Sequence, residues 1–69
     1  MKFTIETSKP GDADTVTVSA TNRQEIENRM TQARPDMEWS ASEMHDRLIG
    51  KKYRADGSGT EEIIIVTPV

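Results

Sequence analysis

The stretch Glu61-Glu62-Ile63-Ile64-Ile65-Val66-Thr67-Pro68-Val69 decides the fold. Four consecutive branched apolar residues predict a strand. Alternate side chains of a strand point to opposite sides, so this one needs cover on both faces. A chain of 69 residues can lay its own helix on one face of a small sheet. The other face then calls for a second helix, a second copy of the chain or a partner.

Working back from that strand, Ala55-Asp56-Gly57-Ser58-Gly59-Thr60 is the strongest turn signal in the chain. Lys51-Lys52-Tyr53-Arg54 before it reads as a short strand, making a C-terminal hairpin. At the other end, Phe3 and Ile5 alternate with Lys2, Thr4 and Glu6, and Val16 and Val18 alternate with Thr15, Thr17 and Ser19. Between them, Pro10-Gly11 offers the fixed φ and the positive φ of a type II turn. This predicts an N-terminal antiparallel hairpin with one wet face.

A helix is expected over residues 22–34. Thr21 with Gln24, or Asn22 with Glu25, can form its capping box. Ile26, Met30 and Ala33 recur at helical spacing, and Arg34-Pro35 ends it. The stretch 36–50 carries two patterns. Met37, Trp39 and Ala41 alternate as in a strand, whereas Met37, Ala41, Met44 and Leu48 recur as on a helix face. Ser40 with Glu43 as a capping box and Gly50 as a stop favour a second helix from Ser40 to Ile49. The expected architecture is α+β: one small domain of two layers, with an antiparallel sheet of N- and C-terminal hairpins on one or two helices, in the order β-β-α-(α)-β-β.

Composition excludes more chemistry than it suggests. With no Cys there is neither a disulfide nor a thiolate nucleophile or zinc ligand. His45, the one histidine, has no companion with metal-ligand spacing and reads as a solvated side chain. Asp56-Gly57-Ser58-Gly59-Thr60 fails as a calcium loop, because Glu61 and Thr67 stand where the glycine and the bidentate glutamate belong. It fails as a dinucleotide loop, because Glu62 replaces the third glycine and a strand follows. The carboxylate pairs Asp12/Asp14, Glu25/Glu27, Asp36/Glu38 and Glu61/Glu62 sit in turns, caps and wet faces rather than in a catalytic cleft. No enzyme, cofactor, metal or small-molecule substrate is expected. No run of about 18 apolar residues spans a membrane, and the expected location is cytoplasmic. A net charge of −3 is too mild for a mimic of DNA, which carries one charge per about 1.7 Å.

Two binding readings remain. The first is a non-enzymatic protein-binding module, a regulator, inhibitor or adaptor of a larger assembly or a homodimer. Its interface residues would be Met37, Trp39, Ile64 and Val66, since Met and Trp serve as adaptable anchors. Such a size also fits a product of a phage or other mobile element. The second rests on Arg47, Lys51, Lys52 and Arg54, four cations in eight residues with no acid among them. With two helices followed by a hairpin, the element order would resemble a winged helix-turn-helix layout, and these four would contact DNA or RNA. The plainer reading is that they meet a helix C-terminus and guard a sheet edge.

Overall fold

The computed structural model describes residues 1–42 and 46–69. It is a mixed α+β fold in the order β1 (Lys2–Lys9), β2 (Asp12–Ser19), α1 (Arg23–Ala33), β3 (Glu38–Ser42), β4 (Arg47–Tyr53) and β5 (Thr60–Pro68). The strands form one antiparallel sheet, ordered β2-β1-β5-β4-β3. The apolar strand is therefore the central one. Ile64 and Val66 are buried under the helix, and Ile63 and Ile65 point to the opposite face.

Local chemistry explains the elements that match expectation. Lys9 pairs with Asp12, leaving Pro10-Gly11 as the loop, and Gly11 takes the positive φ of 79° that the turn requires. Asn22 caps α1: its side chain accepts the Glu25 N–H at 2.9 Å, and Glu25 accepts from the Thr21 N–H at 3.0 Å. The two capping options are thus merged, with the glutamate reaching one residue further back. Arg34, just before Pro35, is the C-cap. Ile26 and Met30 are buried, while Ala33 is exposed. The 54–59 turn closes through Arg54 N–H to Gly59 O at 2.9 Å and Gly57 N–H to Arg54 O at 3.0 Å.

The second helix is corrected. Residues 38–42 and 47–49 are strand, giving β-β-α-β-β-β, and the winged-helix layout goes with it. The expected Ser40–Glu43 cap, Met44 and His45 fall at least partly on residues 43–45, which lie outside the described residues. Both periodicities were present in the sequence, and sheet pairing selects the shorter one. Trp39 stands opposite Gly50 and Ala41 opposite Leu48, so β3 covers what would otherwise be a bare edge of β4. Gly50 is no helix stop. A Cβ there would lie 2.6 Å from the Trp39 ring, so the glycine makes room for the indole.

The helix-side core comprises Phe3, Ala20, Ile26, Met30, Met37, Leu48, Ile64 and Val66, with Ile5, Val18 and Trp39 packed against it. Helix α1 packs on this one face through Ile26 and Met30, with Arg29 bonded to Ser19 of β2 and Arg34 to Glu62 of β5.

Candidate protein-binding surface

The face opposite the helix follows from the register. Across its middle run Thr15, Glu6, Ile65, Ile49 and Ser40, one from each strand in sheet order. One step along the strands lie Ser8, Ile63, Lys51 and Glu38. Thr17, Thr4 and Thr67 flank the other side. Ile49, Ile63 and Ile65 are half-buried, and Glu6, Ser40, Lys51 and Arg47 are exposed. The result is a three-isoleucine strip with a threonine- and charge-bearing rim. Strict alternation would make this face polar in a two-layer antiparallel domain. The isoleucines depart from it at the centre of the sheet.

The four residues expected to anchor an interface lie elsewhere. Met37, Ile64 and Val66 are buried in this chain's own core. Trp39 is half-buried over Gly50, and its indole N–H donates to Arg34 O at 3.0 Å. The residues on the open face are their strand neighbours Ile63 and Ile65, together with Ile49. The signal that could have found these is the central position of the last strand, whose odd-numbered side chains must face away from the helix.

The basic cluster is divided between faces. All but Arg54 fall within β4, and successive side chains of a strand alternate. Arg47 and Lys51 point to the open face with Ile49. Lys52 points to the helix side, where it meets Asp36 at 3.6 Å and Glu61 at 3.8 Å. Arg54 lies in the turn beyond the strand.

On that helix side Arg34 is the hub of a charge network. Its guanidinium donates twice to Glu62, both at 2.8 Å, and twice to Asp36, at 3.1 and 3.0 Å. The Glu62 side chain is 12% exposed. Hydrogen bonds from Arg34 hold the Glu62 carboxyl below its ordinary range and bring Asp36 down to about 2. An open cleft of about 520 Å³ adjoins this network, lined by Lys9, Pro10, Lys52, Arg54, Glu61 and Glu62. Three of its charged groups, Glu61, Glu62 and Lys52, are already paired within the network. Among the described residues, no group of three or more His, Cys, Asp or Glu is placed to hold a metal ion. Among the described residues, no helix is long and apolar enough to cross a membrane.

Compared with protein-family models, curated proteins and solved structures, the chain has no significant match.

Proposed function

We propose that this chain is a small, non-enzymatic protein-binding module, acting as a regulator, inhibitor or adaptor through the sheet face opposite its helix. One observation carries the reading: Ile49, Ile63 and Ile65 form a contiguous apolar strip at the centre of that face, with no layer of this chain over it among the described residues. An apolar centre with a polar rim is the anatomy of a specific protein interface. Glu6 on one side and Lys51 on the other would set orientation.

The test uses substitutions that the fold should tolerate. Ile65→Lys places a cation beside Glu6, and Ile63→Glu places an acid beside Lys51, so each gains an opposite-charge cross-strand neighbour. The wild type and the double variant are immobilised and exposed to an extract of the source cells, and bound proteins are quantified by mass spectrometry. A protein retained by the wild type and lost by the variant, with circular dichroism unchanged, is the expected result. If the folded variant holds every captured protein as well as the wild type does, the open face is not the binding surface.

A further inference from the structure

The β2 edge carries an inference of its own. Native sheets blunt their edges with lysines, prolines, bulges or short strands. The β3 edge is five residues long, but β2 has eight, with no Lys, Arg or Pro among them. Its centre, Thr15-Val16-Thr17-Val18, is wholly β-branched. Val16 lies on the helix side of the sheet, yet it is 45% exposed because the helix does not reach over it.

The hydrogen-bonding pattern shows which groups face outward. Met1 and Ala20 exchange both backbone bonds, Ala20 N–H to Met1 O at 2.9 Å and the Met1 nitrogen to Ala20 O at 2.8 Å. Antiparallel pairs alternate, so Val18, Val16 and Asp14 also turn their backbone groups toward β1, and Ser19, Thr17 and Thr15 turn theirs outward. Two side chains confirm the direction. Asp14 accepts the outward Thr15 N–H at 3.0 Å, and Arg29 donates to the outward Ser19 carbonyl at 3.2 Å. Between these two guards, the Thr17 N–H and C=O have no partner among the described residues.

We propose that β2 pairs antiparallel with β2 of a second copy of this chain, with Thr17 beside its own symmetry mate. In that register Thr15 lies opposite Ser19 of the second copy, and the outward groups form a six-bond ladder. Val16 then falls opposite Val18 in a non-hydrogen-bonded pair, where side chains approach closest, and its exposed surface is covered. A slip by two residues keeps only one valine pair, Val16 on Val16 with Val18 against Asp14 or Val18 on Val18 with Val16 against Ala20, so the two Val16–Val18 pairs favour this register. The guards also complement each other. As the ladder forms, Asp14 releases Thr15 and Arg29 releases Ser19. Asp14 of one copy then lies opposite Ala20 of the other, beside that copy's Arg29, on the same side of the sheet. The two-fold axis stands perpendicular to the sheet. Both helices therefore lie on one side, and the two open faces join into one surface on the other.

Sedimentation equilibrium from about 1 μM to about 1 mM protein tests the pairing, since a strand-edge interface this small is a weak one. The expected mass rises from one chain to two. Val16→Lys, at a position already exposed in the single chain, should raise the dissociation constant at least about tenfold while circular dichroism stays unchanged. The register is tested with Val16→Cys and Val18→Cys, which introduce the only thiols. A non-hydrogen-bonded pair puts their Cα atoms about 4.5 Å apart, within disulfide range. Oxidising the two variants together should give a covalent dimer, and either alone should not. A mass that stays at one chain, a dimer indifferent to Val16→Lys, or a mixture that cross-links no better than the single variants overturns the proposal. None of these outcomes bears on Ile63 and Ile65, so the open-face reading stands or falls separately.

Discussion

Trp39 lies flat over Gly50, its cross-strand partner, and no side chain larger than hydrogen fits beneath it. A Cβ built on Gly50 would sit 2.6–2.8 Å from three atoms of the six-membered ring. The φ of Gly50 is not positive, so the constraint is space and not backbone conformation. This contact joins the edge strand β3 to the rest of the sheet. The indole N–H meanwhile ties the ring to the C-cap of the helix through Arg34 O.

Gly50→Ala is therefore expected to destabilise the fold by about 1–3 kcal/mol, the usual cost of overpacking. Urea denaturation should show a lower midpoint with an unchanged slope. Trp39 is the only tryptophan, so its emission should shift to the red as the ring is displaced. An unchanged midpoint would mean that the ring moves aside freely.

Stability should fall in acid for a traceable reason. Arg34 depresses the pKa of both Glu62 and Asp36. Groups with lowered folded pKa values stabilise the fold above their unfolded values and lose that contribution as pH falls through the folded ones. The window runs from the ordinary 4.5 of Glu62 down to about 2 for Asp36. Asp36 is well exposed, so solvent screening leaves the larger share to Glu62. Arg34→Met is expected to cost about 1–2 kcal/mol at neutral pH. It should also flatten the decline of melting temperature across that window. A parallel decline in both proteins would assign the acid sensitivity to other groups.

Helix α1 depends on its cap. Asn22→Ala removes the side-chain acceptor of the Glu25 N–H and leaves the Thr21–Glu25 bond and the backbone bond from Ile26 N–H to the carbonyl of residue 22 in place. A loss of about 1 kcal/mol is expected by thermal or chemical denaturation. Asn22→Asp should retain most of the stability, since aspartate caps equally well.

DNA affinity provides a check on the divided basic cluster. Arg47 and Lys51 share the open face, and Lys52 is engaged on the other side with Asp36 and Glu61. No more than two of the β4 cations can reach one backbone together. Fluorescence anisotropy of labelled duplex DNA should show, at most, weak binding, with a slope of log affinity on log salt no steeper than about −2. A slope near that for four phosphate contacts would require these side chains to converge and would favour a nucleic-acid role.

Much of this fold was legible in the chain. The Pro10-Gly11 turn, the Asn22 cap, the Arg34-Pro35 stop, the alternation of Phe3 with Ile5 and the glycine-rich turn at 55–60 are each set by residues a few positions apart. Local sterics and hydrogen bonding suffice to encode them. The branched run 63–66 likewise announced a strand, and it is the central strand of the sheet. Tertiary structure decided the rest. The segment from Met37 onward carries both a two-residue and a helical period, and the local signals at Ser40, Glu43 and Gly50 favour the helical one. The choice falls to strand because β4 offers an open edge and Gly50 a space for Trp39, contacts that exist only once the two strands have paired. Pairing also sent Ile64 and Val66 to the core and Ile63 and Ile65 to the open face. It separated Lys52 from Arg47 and Lys51, because a run of like residues in a strand cannot act from one side.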